Sequence, residues 1–304
     1  MTTTAPAATP PPAAPPSSAP APGPDRPGFW RRFRDNRPAF VALVVLAVLV
    51  LASLAAPLIA PYAPEAIDVP RRLSLSTPDH WLGTDSLGRD TFTRLLYAGR
   101  VSLMAAALAV AIATAVGVPL GLLAGYVGGK VDWLLGRAGD VLMTFPAIIL
   151  AIAIIAATGP GLQNAMVALG IVYAPRLFRV TRAATLRVRA ETYVEASISI
   201  GTPAWKIIAR RVLPNVASPV LVQVSVMLAA ALLAEAALSL LGLGVVPPTA
   251  SWGVMLGSGF KEIRSTPLLV FWPGVAIAVA TLSFNLIGDG LRDALGRRIR
   301  KAAP

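Results

Sequence analysis

Two acidic residues in apolar surroundings pose the chemical question for this chain. Glu235 stands in AALLAEAALSLLGLG, a stretch with no other charged residue. A charge near the bilayer centre costs roughly 2.5–3.5 kcal/mol on insertion scales, so such a carboxylate is expected to face a cavity or a partner. It suits a polar path for a solute, or a hydrogen-bonded contact inside a helix interface. Gln223, Ser225 and Thr281 are further polar residues in apolar runs that suit a translocation path. Glu195 belongs to YVEASISIGTPAWKIIARRVLPN, residues 193–215, beside Lys206, Arg210 and Arg211 and across a Gly-Thr-Pro break from them.

No enzyme signature accompanies these residues. The chain has no cysteine, which excludes a disulfide framework, a thiol catalyst and a thiolate metal site. A single histidine, His80, cannot build a histidine cluster and reads as an ordinary loop residue. There is no G-x-x-x-x-G-K-[ST] loop to cradle nucleotide phosphates, no G-x-S-x-G elbow and no H-E-x-x-H pair. GTDSLGRD, residues 83–90, lacks the alternating oxygen ligands of a calcium loop. The chain is expected not to be a catalyst by itself, and to bind no metal or cofactor of its own.

The elements that position these residues are apolar helices. Of the 304 residues, 55% are hydrophobic and 14% charged, with mean hydropathy +0.67. Soluble domains carry about 25% charged residues, so the balance predicts an all-α polytopic membrane protein. Residues 1–28 hold ten prolines and no Leu, Ile, Val or Phe, the composition of a disordered tail. Arg31-Arg32-Phe33 hints at an export signal, but the apolar run after it is long enough to read as an uncleaved span. On a criterion of about 20 apolar residues, six transmembrane helices are predicted near 39–60, 101–125, 138–158, 162–180, 215–242 and 267–288. An external loop is expected at 61–100. Arg176 and Arg179 intrude on the fourth span and suggest that its helix continues beyond the membrane.

Charge placement gives an orientation with both ends inside. Among the 27 Lys and Arg residues, only Arg71, Arg72, Arg89, Arg94, Arg100, Lys261 and Arg264 then fall outside. Glu65, Asp68, Asp79, Asp85, Asp90 and Glu262 nearly neutralise them. This positive-inside asymmetry accounts for the net charge of +12 without a nucleic-acid partner. Gly117, Gly121 and Gly125 form a small-xxx-small stripe suited to close helix packing. Phe145-Pro146 predicts a kink in the third span. Asn285 and Asp289 read as anchors at the inner end of the sixth.

Residues 193–215 fall in the long cytoplasmic connection between spans four and five. Gly201 suits a helix C′ position, Thr202 an N-cap and Pro203 a first helical residue. Pro214 is expected to stop the second helix. Ala196, Ser197 and Ser199 keep the first helix thin, and Trp205, Ile207 and Ile208 are expected to form an apolar patch on the second. Elements this short need something to pack on, which is either a partner or the lipid surface.

Here the residues resemble a known family. Glu195-Ala196-Ser197, then Gly201, then Arg211-Val212-Leu213-Pro214 looks like the EAA loop of ABC-importer permeases. WLGTDSLGRDTFTRLLYAGRVSL (81–103), GLLAGYVGGKVDWLLGRAGDVLMTFP (121–146), ALSLLGLGVVPPTASWGVML (237–256) and FNLIGDGLRDALG (284–296) resemble the dipeptide/oligopeptide/nickel permeases, of the subunit type with a long external loop after its first span. The resemblance spans about residues 30–300. Ser197 replaces the usual second alanine, Arg211 stands where an apolar residue or histidine is common, and Gly296-Arg297 where Asp-Pro is usual.

The resemblance implies a type I ABC-importer permease fold in a bacterial cytoplasmic membrane. It implies ATPase coupling through Glu195, Ala196, Ser197, Gly201, Leu213 and Pro214 in a coupling loop at 189–214. Its implied partners are a homologous second permease, two ATP-binding subunits that use ATP and Mg, and an extracytoplasmic substrate-binding protein. Peptides are the implied solute class, with nickel chelates, glutathione or other small solutes as alternatives. An ion-gradient-driven secondary transporter and a non-transporting scaffold are the readings from other classes.

Overall fold

Asn36 opens the first long helix and fastens the two ends of the fold together. In the computed structural model, which describes residues 28–296, its Oδ1 accepts from the Ala39 N–H at 3.2 Å and its Nδ2 donates to Asp293 at 3.0 Å. Residues 1–27 of the tail predicted at 1–28, and the basic residues after 296, lie outside the described residues. Helix α1 (Phe29–Asp35) and helix α2 (Arg37–Leu54) are followed by a short turn, α3 (Ala56–Ile59). Phe33 buries against Ala39 and Ala294. α2 is sparsely buried elsewhere, as expected of a helix with lipid for a neighbour.

Residues 60–90 form a loop held by polar contacts rather than by strands, with one isolated bridge between Thr84 and Asp90. Asp90 caps α4 (Thr91–Val127) by accepting from the Thr93 N–H at 2.8 Å. This cap starts the helix ten residues before the predicted span, so the end of the expected 61–100 loop is helical. His80 is a loop residue, and it is buried. Its Nδ1 lies 2.9 Å from Asp90 Oδ1 and its ring packs on Tyr62. Asp85 accepts from Leu87 N and Arg89 N and pairs with the Arg89 guanidinium at 2.7 Å.

α4 turns at Gly128 and Gly129, both at positive φ, into α5 (Gly129–Thr144). The predicted single kinked span at 138–158 is instead two helices, α5 and α6 (Ala147–Thr158), whose axes bend by 92°. Phe145 is pushed into the extended region by the following proline, and Pro146 is extended too, so two residues leave the helical basin.

α7 (Leu162–Arg189) continues well past the apolar run, through Arg176, Arg179 and Arg182. Two of these cations, Arg179 and Arg182, are paired with α5. Arg182 holds both carboxylate oxygens of Asp132, and Arg179 meets Asp140 at 2.6 Å. The glycine stripe of α4 faces this helix. A Cβ at Gly117, Gly121 or Gly125 would sit 2.6 Å from Ala174 O, 2.7 Å from Thr181 Cβ or 2.7 Å from Thr185 Cβ. The main core joins α4 and α7 to α10 (Leu213–Leu240), with Met166, Leu169, Leu177, Met227 and Leu232 wholly enclosed.

Between α7 and α10 lie α8 (Thr192–Ser199), α9 (Ala204–Ile207) and a π-helical turn, Ile208–Val212. After α10, a loop leads to α11 (Trp252–Lys261) and α12 (Leu268–Gly296). Among the described residues, four helical stretches are long and apolar enough to cross a membrane, and the bent pair would make a fifth. α7 falls short of that apolarity because Gln163, Asn164 and its arginines interrupt it.

Candidate functional site

The charged segment folds as the sequence suggests at its turn and differently at its exit. Gly201 follows the end of α8 at the expected C′ position, and its φ of +76° is open to glycine without strain. The Gly201 N–H reaches Ile198 O at 2.9 Å and the Thr202 N–H reaches Ser197 O at 3.1 Å, the paired bonds of a Schellman motif. The N-cap of α9 is Pro203 rather than Thr202, because the extended Pro203 already offers its carbonyl to Lys206 and Ile207. Thr202 is used up by the turn.

Pro214 does not stop the second helix. The chain runs helically from Ala204 to Leu240, 37 residues, with the π turn just before the proline. There the Leu213 N–H bonds Ile208 O, five residues back. An α-helical proline would clash with the carbonyl four residues before it. The widened turn accommodates Pro214, and the neighbouring Arg211 O accepts from Asn215 Nδ2 at 2.7 Å.

The hairpin has an inner and an outer face. Val194, Ile207 and Val212 are wholly buried and join the main core beside Val188 and Ala184. Burying each stabilises by about 1.5–3 kcal/mol relative to exposure, which such short helices lack on their own. The expected patch of Trp205, Ile207 and Ile208 is thus divided, since Ile207 faces inward. The most exposed large apolar residues of the hairpin are Ile200, 81% exposed, and Trp205, 71% exposed. Glu195, Ala196, Leu213 and Pro214 are exposed, and Ser197 is buried with its Oγ donating to Tyr193 O at 2.7 Å.

Asn215 Nδ2 also donates to Tyr193 Oη at 3.2 Å, closing the hairpin. Partial burial and the Glu191 carboxylate hold the Tyr193 phenol above its ordinary range, while Arg211 pulls the other way. The phenol therefore stays protonated, and Arg211 is placed as an exposed cation beside it.

Of the four residues considered for a path, Gln223, Ser225 and Glu235 lie on α10 and Thr281 on α12. Gln223 is half-buried on α10. Ser225 is buried, donates to Leu221 O at 3.1 Å and lies against Gly288 of α12. Thr281 has a buried hydroxyl without a partner. Glu235 is 0% exposed, and its Oε1 accepts from Ser239 Oγ at 2.8 Å. The hydroxyls of Ser102 and Ser251 stand beside the same carboxyl, while Oε2 meets no donor in hydrogen-bonding geometry. The structure therefore holds Glu235 inside a helix interface. Sequence reasoning missed its serine neighbours. Ser239, four residues on along the same helix face, was within reach of that reasoning; Ser102, on another helix, was not.

Comparison with known proteins matches this arrangement to transport permeases. The family described as binding-protein-dependent transport system inner membrane component matches residues 117–301. The N-terminal TM domain of oligopeptide transport permease C matches residues 28–78. A dipeptide transport system permease protein of Alkalihalophilus pseudofirmus is 39% identical over 271 residues, 89% of each chain. A glutathione transport system permease protein of Escherichia coli is 39% identical over 273 residues, 90% of each. A putative peptide transport system permease protein of Brucella abortus is 41% identical over 270 residues, 89% of this chain and 91% of that one. Among solved structures, a chain of the inward-facing MetNI methionine ABC transporter shares the fold. It has a TM-score of 0.56 at 20% identity, covering 69% of this chain and 97% of that one.

Proposed function

The chain belongs to the family of binding-protein-dependent transport system inner membrane components, and from that membership we propose that it is the membrane-spanning permease subunit of an ATP-driven importer of short peptides. The dipeptide, peptide and glutathione names of its relatives support that solute class. The observation that carries the mechanism is the continuous helical course from Ala204 to Leu240. One end of this rod is the exposed hairpin and the other is the buried Glu235.

In this reading the hairpin docks into an ATP-hydrolysing partner, with Glu195, Ala196 and Gly201 at the contact, the buried Ser197 holding the helix behind them, and Leu213 and Pro214 at the exit. Ile200 and Trp205 are the exposed apolar side chains that such a groove would cover. Closure of two ATPase subunits on ATP then displaces the hairpin, and the rod carries the displacement across the membrane. ATP and a loaded binding protein can shift the bundle only by favouring different states of it. A homologous second permease completes the pathway, and an extracytoplasmic binding protein delivers the solute. α7 and the bent α5–α6 pair bring the spans to six, with both ends on the cytoplasmic side of a bacterial membrane.

The test is to purify the chain with its neighbouring subunits, reconstitute them in proteoliposomes and measure peptide-stimulated ATP hydrolysis and uptake. ATP-dependent uptake is expected. Uptake that persists without ATP and collapses with the proton gradient would overturn the reading in favour of a secondary transporter.

A further inference from the structure

Glu235 sits where three helices meet, and every hydroxyl around it is already engaged with one segment of the chain. Ser239 Oγ accepts from the Val245 N–H at 3.2 Å, Ser102 Oγ from the Trp252 N–H at 3.0 Å, and Ser251 Oγ from the Val254 N–H at 3.2 Å. All three N–H groups belong to the loop after α10 or to the first turn of α11. A hydroxyl that accepts from an N–H keeps its own proton to donate. The carboxylate can therefore collect three O–H donors from α4, α10 and the α11 cap. Ser251 is that cap, so the N-terminus of α11 stands beside the acid. Trp252, buried beside it, donates its indole N–H to Leu95 O on α4 at 3.1 Å.

The segment held in this way has an exposed apolar rim formed by Leu241, Val246 and Phe260. The rest of the machinery described above does not use Glu235. It lies near the far end of α10 from the hairpin, yet on the same continuous helix.

We propose that Glu235, through Ser102, Ser239 and Ser251, is a positioning residue that fastens α11 and the 241–251 loop to α10, so that a partner docking on that segment moves α10 and the hairpin as one body. The inference rests on the importer reading, in which this segment faces the binding protein. Without the carboxylate, Ser239 loses its acceptor and the Ser102 and Ser251 hydroxyls lose the acid they stand beside, so the outer segment can shift without carrying α10 with it.

The test uses the reconstituted complex with its ATPases and binding protein, comparing wild type with Glu235→Ala, Glu235→Gln and Ser102→Ala. The measured quantities are the ratio of stimulated to unstimulated ATP hydrolysis and the binding-protein concentration that half-saturates it. Glu235→Ala is expected to lower the ratio by at least about fivefold, the low end of coupling between sites, with the half-saturating concentration little changed. Glu235→Gln, which still accepts from Ser239, is expected to retain more of the ratio. Ser102→Ala, which removes one hydroxyl and leaves the acid, carries the same expectation to a smaller degree and serves if Glu235→Ala fails to accumulate. A ratio unchanged in these variants, or both rates falling together with thermal stability, would mean a purely structural role and overturn the inference alone. A wild-type complex showing no stimulated hydrolysis would overturn the importer reading and the inference with it.

Discussion

Arg182 Nη2 donates to Asp132 Oδ2 at 2.6 Å while its Nε meets the other oxygen, so one guanidinium fork clamps α7 to α5 across 50 residues of sequence. α5 is otherwise thinly packed, with Gly139 its one buried residue. Both partners are partly exposed, so solvent screening limits the coupling to about 1 kcal/mol despite the two-pronged geometry. Arg182→Ala is expected to lower the thermal midpoint of the purified protein, and the reversed pair Asp132→Arg with Arg182→Asp to recover part of the loss. A reversed pair no better than the single variant would show that the clamp contributes nothing.

Gly201 is needed for its backbone and not for space. No atom lies within 4 Å of where its Cβ would sit, yet its φ is +76°. Gly201→Val is expected to strain the turn by about 1–2 kcal/mol, abolishing uptake while the protein still reaches the membrane. Gly201→Asn, which tolerates the left-handed region, is expected to keep more transport. Uptake assayed alongside membrane abundance decides this, and equal loss in the two variants would contradict the backbone argument.

Glu195 makes the complementary case, an exposed side chain whose charge serves a partner. Glu195→Lys is expected to change stability by no more than about 0.5 kcal/mol and to abolish uptake. Co-purification with the ATP-binding subunits is the discriminating measurement. Normal transport by this variant would sink the docking role of the hairpin.

Gly121 has the opposite dependence, on room rather than on backbone. Its Cβ would lie 2.7 Å from Thr181 Cβ and 2.8 Å from Phe178 O, so the neighbour that must move is a helix backbone. Gly121→Leu is expected to destabilise by about 1–3 kcal/mol or more, read as lower yield and a lower thermal midpoint. Gly136→Ala, at a site with open space, is the control and is expected to leave both unchanged.

What could be read beforehand follows from the range of each interaction. The Gly117, Gly121 and Gly125 stripe and the Gly201 turn are local patterns, and each is found where the sequence puts it. The depth of the break at Phe145-Pro146 is less legible, since a proline announces a departure from the helix and not its angle. The exit of the hairpin was misread because Pro214 usually ends a helix, and nothing local shows that five preceding residues will widen their turn to keep it. The surroundings of Glu235 were legible only in part. Ser239 shares its helix face, but Ser102 and Ser251 arrive through tertiary packing that no spacing encodes.

The π turn at Ile208–Val212 has a consequence for angular phase. Successive α-helical residues rotate by about 100° about the axis, and the widened turn takes up about one residue more than α geometry allows. A helical wheel drawn continuously from Ala204 to Leu240 therefore slips by roughly that angle as it passes the turn. Azimuths for Gln223, Ser225 and Glu235 have to be counted from Leu213 onward, and those of the hairpin counted separately. A wheel that ignores this offset would assign the right residues to the wrong side of the rod.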